Sequence, residues 1–91
     1  MSRFVVRMLL RPATEQTVES DKPALDVAYL YQIACIKPET GMTFLEVIQD
    51  GGEPIIYMMI SERVGGVIAI ACETVTREEA VKLINHSGAN N

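Results

Sequence analysis

Two glycine pairs, Gly51-Gly52 and Gly65-Gly66, each lie between runs of β-branched, aromatic and methionine side chains. In that setting a glycine pair adopts the left-handed backbone of a two-residue hairpin loop without steric penalty. Pro38-Glu39-Thr40-Gly41 reads as a further turn, of type I with glycine in the left-handed position. The runs between these turns, 25–36, 42–49, 55–61 and 67–74, are then strands of a four-stranded antiparallel meander. Loops this short leave consecutive strands little choice but to pair with each other.

The flanking segments complete an α+β domain. From Arg3 to Arg11 the even positions, Phe4, Val6, Met8 and Leu10, are apolar, and Arg3, Arg7 and Arg11 fall on the opposite side. That alternation predicts a half-buried N-terminal strand closed by Pro12, and the polar stretch 12–23 reads as a loop. Thr76-Arg77-Glu78-Glu79 has the spacing of a capping box, with Ala80, Leu83 and Ile84 as an apolar stripe and Gly88 as the stop. One C-terminal helix is therefore expected on one face of the sheet, with a single domain over 1–88 and a frayed tail over 89–91. Residues 25–36 allow two readings. Val27, Tyr29, Tyr31 and Ile33 favour a strand, and the alternative is that residues 23–36 form a second helix ended by Pro38.

The turns also imply a register. A loop at Gly51-Gly52 pairs Ile48 with Ile55, Glu46 with Tyr57 and Phe44 with Met59. The loop at Gly65-Gly66 pairs Val64 with Val67, Tyr57 with Thr74 and Met59 with Cys72. Both faces of such a sheet are apolar, and one short helix covers only part of one of them. At ~1.5–3 kcal/mol per large side chain, an open second face forfeits on the order of 10 kcal/mol. The strand reading of 25–36 therefore requires a second copy of the chain over that face, most simply as a two-fold dimer. A helix at 23–36 would cover it within one chain.

Composition narrows the function. The formal charge is −4 over 91 residues, which weighs against the broad basic surface a nucleic-acid module needs. The arginine stripe reads instead as a solvated face paired with acids such as Glu15 or Glu19. No apolar run approaches the ~20 residues of a membrane span. With two cysteines, Cys35 and Cys72, each inside an apolar run, the expectation is reduced, buried thiols and a cytoplasmic protein. In the derived register these thiols share a face, about 14 Å apart. The single histidine, His86, sits near a helix end, where it suits the helix dipole better than a catalytic pair. The set contains neither a zinc-ligand spacing nor a phosphate-binding glycine motif, so no metal or cofactor is expected.

One polar residue stands apart: Glu46, between Leu45 and Val47. In the derived register it faces Tyr57, with Tyr31 diagonal. A carboxylate in an apolar, aromatic setting can serve as an acid, a base or a ligand anchor. Glu46, Tyr57 and Tyr31 are thus the candidate ligand-binding residues, with no catalytic residue assigned. The leading expectation is a small self-associating binding or regulatory module without catalytic activity, with a protein partner or a small apolar ligand. The alternative is a small-molecule-binding domain or cofactor-independent enzyme with a pocket around Glu46. A closed pocket over Glu46 favours the alternative, and an arginine salt bridge filling that space favours the first.

Overall fold

The computed structural model describes residues 1–9, 11–36 and 41–87. In chain order it contains β1 (Ser2–Met8), β2 (Arg11–Ser20), α1 (Ala24–Tyr31) continued by a π-helical turn (Gln32–Ile36), β3 (Gly41–Gln49), β4 (Ile55–Val64), β5 (Val67–Val75) and α2 (Arg77–Ser87). The strands form one five-stranded sheet in the order β2-β1-β3-β4-β5, and every neighbouring pair is antiparallel. The fold is α+β, with an N-terminal strand, an antiparallel sheet and the C-terminal helix on one face.

Turn chemistry sets β3, β4 and β5. Gly65 and Gly66 have φ of 58° and 83°, the left-handed pair that a type I′ hairpin demands. Val64 accordingly pairs with Val67, Met59 with Cys72 and Tyr57 with Thr74, as expected from the glycines. The preceding turn differs by one residue. Its left-handed positions are Asp50 (φ 50°) and Gly51 (φ 72°), and it closes with the Gly52 N–H donating to the Gln49 carbonyl at 2.9 Å. Aspartate tolerates this conformation better than most residues, and here β1 holds it in place. The Asp50 N–H donates to the Arg3 carbonyl at 2.7 Å, and its Oδ1 accepts the Arg3 N–H at 2.8 Å. The Arg3 N–H, and then the Ser2 hydroxyl, hold the Asp50 carboxyl below its ordinary range. That turn alone would set Val47 opposite Pro54, but β4 begins at Ile55. One residue between Gly52 and Ile55 is left out of the ladder, so Val47 pairs with Ile55, Leu45 with Tyr57 and Phe44 with Met58. A slip of one residue sends every β3 side chain to the opposite face from the one the glycines alone imply.

Two segments depart from expectation. Residues 12–23 are not a loop, because Arg11–Ser20 pairs with β1 as an edge strand, with an irregularity between Val6 and Met8. An edge strand tolerates a proline and polar side chains that a central one would not. It earns its place by setting Val18 opposite Phe4 and Glu19 opposite Arg3. The ion pairs foreseen for the arginine face are present: Arg3–Glu19 at 3.6 Å and Arg7–Glu15 at 3.5 Å. Both are solvent-facing and contribute little to stability.

Residues 24–36 are helical, the alternative reading, and not a strand. Ala24, Val27, Ala28 and Tyr31 are buried while Leu25, Asp26 and Leu30 are exposed, the i, i+3, i+4, i+7 stripe of a helix facing a core. That stripe packs on Phe4, Val6, Leu45, Val47, Tyr57 and Met59. On the other face Ala80 of α2 packs with Phe44, Ile56 and Met58, flanked by partly buried Leu9, Val75, Leu83 and Ile84. Side chains alternate between faces along a strand, so the two helices sandwich the sheet. A second copy is therefore not required over the α1 face. The pairings drawn for a strand at 25–36 fall with it, including the cysteine separation. The Cys35 side chain, the turn residues Pro38-Glu39-Thr40 and the stop at Gly88 lie outside the described residues.

The capping box forms as read. The Glu79 N–H donates to Thr76 Oγ1 at 3.0 Å, and the Thr76 N–H donates to Glu79 Oε1 at 2.9 Å. Thr76→Ala is expected to lose about 1 kcal/mol, and a thermal melt should show a midpoint lower by roughly 4–8 °C. An unchanged midpoint would mean that the cap does not hold α2. Among the described residues no helix is long and apolar enough to cross a membrane.

Candidate functional site

Glu46 is the chemically unusual residue of the sheet. It lies at the centre of β3, 1% exposed, opposite Arg7 of β1 and Ile56 of β4. Arg7 donates through Nε to Glu46 Oε1 at 2.5 Å. Arg77, the first residue of α2, donates through Nη2 to Oε2. Each carboxylate oxygen thus meets its own guanidinium, and Arg7 also reaches Glu15 at 3.5 Å. The Glu46 hydrogen bond, followed by its charge, pushes the Arg7 guanidinium above its ordinary value. Both carboxylate oxygens are therefore occupied by guanidinium donors, and the arrangement ties the start of α2 to the middle of the sheet and to β1.

The other two candidate residues lie elsewhere. Tyr57 and Tyr31 are buried together beneath α1, whereas Glu46 is on the α2 face. The one-residue difference in register separates them. Burial, then the nearby Cys72, pushes the Tyr57 phenol up. Cys72 is a half-buried free thiol, raised by burial first and by Glu73 second. Sequence reasoning missed the partners of Glu46, Arg7 and Arg77. The only available signal for Arg77 was its place just after the helix cap, and Arg7 depended on a β1–β3 pairing that no local turn specifies.

Other polar groups are structural in placement. Gln32, buried where α1 passes into the π-helical turn, donates through Nε2 to Thr43 Oγ1 at 3.4 Å, and its Oε1 has no partner. The Tyr29 hydroxyl of α1 donates to the Ile70 carbonyl of β5. Among the described residues no group of three His, Cys, Asp or Glu side chains is placed to hold a metal ion. His86 borders an open groove between α2 and β5, with Met58, Glu73, Val75, Glu79, Lys82 and Leu83.

The α2 face is only partly covered. Beyond the helix, Met42, Ile60, Val64 and Val67 are exposed, the last two by 57% and 67%. Met42 pairs with Ile60, Ile60 with Ala71, and Val64 with Val67. Exposed Ala71 adjoins Ile60, whereas exposed Glu62 stands on the same face between Ile60 and Val64 and opposite Ala69. The apolar side chains thus form two groups, Met42 with Ile60 and Ala71, and Val64 with Val67. No family model, no curated protein and no solved structure matches this chain.

Proposed function

We propose that this protein is a small self-associating binding or regulatory module, with a second copy of itself as its first partner. The observation that carries this reading is the set of exposed apolar side chains Met42, Ile60, Val64 and Val67 on the part of the sheet that α2 leaves open. Apolar side chains left uncovered together on one face, with Glu62 among them, mark a surface suited to a partner. The closure of Glu46 by Arg7 and Arg77 supports the non-catalytic side of the reading, since guanidinium groups stand where a pocket over the carboxylate would have to open. A reducing, cytoplasmic setting suits the free Cys72 thiol.

Sedimentation velocity or light scattering across a concentration series tests the proposal. A dimer is expected at micromolar concentration, with its population falling on dilution. A monodisperse monomer at the highest attainable concentration would overturn the reading.

A further inference from the structure

The two edges of the sheet are built differently. β2 carries Pro12 in its sequence and presents charged Glu15 and Glu19, features that discourage another strand from adding. The nine residues of β5, VIAIACETV, contain neither lysine nor proline, and the only charge is Glu73. The β4–β5 pairing also runs without interruption from Val75 to Val67, so no bulge twists this edge away.

Hairpin geometry says which backbone groups that edge offers. Across a two-residue loop the flanking residues, Val64 and Val67, exchange both hydrogen bonds, and bonded pairs recur at every second position. Val67, Ala69, Ala71, Glu73 and Val75 therefore direct their N–H and C=O groups to β4. Ile68, Ile70, Cys72 and Thr74 direct theirs outward. The Tyr29 hydroxyl bond to the Ile70 carbonyl fits this assignment, because only an outward carbonyl is open to it. A carbonyl oxygen has two lone pairs, which leaves Ile70 able to accept a strand partner as well.

We infer that the outer edge of β5 pairs antiparallel with β5 of a second copy, about a two-fold axis through Ala71, joining the two sheets into one. This rests on the self-association reading and places the contact at the β5 edge, beside the exposed apolar side chains of the α2 face rather than over them. Ala71 is the midpoint of the nine-residue strand, so this register is the one that pairs its full length. It sets Ile70 opposite Cys72 and Ile68 opposite Thr74 of the other copy, so outward backbone groups meet outward backbone groups. On the α2 face Val67 meets Val75, and Glu73 meets Ala69, so no like charges are directly opposed. The same axis sets the exposed Ala71 side chains of both copies against each other, each beside its own Ile60.

Ala71 lies on the axis and faces its own counterpart, which makes it the residue to change. Its side chain is exposed, and Ala71→Glu should leave the monomer folded, as far-UV circular dichroism would verify. In sedimentation equilibrium the variant's dimer dissociation constant is expected to rise at least tenfold. An equimolar mixture of A71E with A71K should recover a mixed dimer. In a Cys35→Ser, Cys72→Ser background, Ala71→Cys should form an interchain disulfide on mild oxidation, because facing residues in a non-bonded antiparallel pair sit about 4.5 Å apart. An A71E dimer as tight as that of the unaltered chain, or no cross-link through Ala71→Cys, would overturn the β5 axis and leave self-association standing. An unaltered chain that stays monomeric would overturn both.

Discussion

Ala28→Asp is expected to unfold most of the protein, whereas Leu30→Asp, two positions along, leaves it folded. Ala28 is fully buried, packed by α1 onto the cluster of Phe4, Val6, Leu45 and Tyr57. The described residues packed around it are apolar, and burying an uncompensated charge costs about 4 kcal/mol or more. That is most of the stability of a small domain, which starts at about 5 kcal/mol. Leu30 is 51% exposed, and an exposed substitution on the same helix changes stability by about 0.5–1 kcal/mol. The pair distinguishes helix from strand. Residues i and i+2 share a face in a strand but lie on different sides of a helix. Urea melts of both variants measure the contrast, and equal losses would contradict α1.

Glu46→Ala is expected to lower stability by about 2–3 kcal/mol, less than the 3–5 typical of a broken buried pair. The discount reflects the partners, since Arg7 and Arg77 are partly solvent-facing and can turn out to water once the carboxylate is gone. What is lost is the tie between β1, β3 and the start of α2. A melting midpoint lower by roughly 10–20 °C corresponds to this loss. A double-mutant cycle with Arg77→Ala isolates the helix tie, and a coupling of about 1 kcal/mol is expected, because the two groups touch. Additive losses would mean that Arg77 and Glu46 stabilise the fold independently.

The features legible in the sequence are those settled within a few residues of chain. Gly65 and Gly66 specify their own loop, and through it the whole β4–β5 register. Thr76 and Glu79 specify the start of α2 because each bonds the other's backbone across one turn. The arginine face of β1 and its acidic partners could be read from alternation alone. The class of fold, with its antiparallel sheet and C-terminal helix, followed from these local devices.

The rest was decided by contacts that span the chain. Asp50 takes a left-handed conformation because Arg3, far away in sequence, bonds both its backbone N–H and its carboxylate. That places the β3–β4 turn at Asp50 and Gly51, and the one residue left out of the ladder before Ile55 makes the offset odd, which carries Glu46 to the face opposite Tyr57. Residues 24–36 have side chains suited to a strand, yet they form a helix because the sheet presents an apolar face that needs cover, and the stripe of Ala24, Val27, Ala28 and Tyr31 supplies it. Arg11–Ser20 is polar enough for a loop and becomes a strand because β1 has a free edge to pair. In each case local preference was weak and the tertiary gain, a hydrogen-bonded ladder or a buried apolar face, outweighed it.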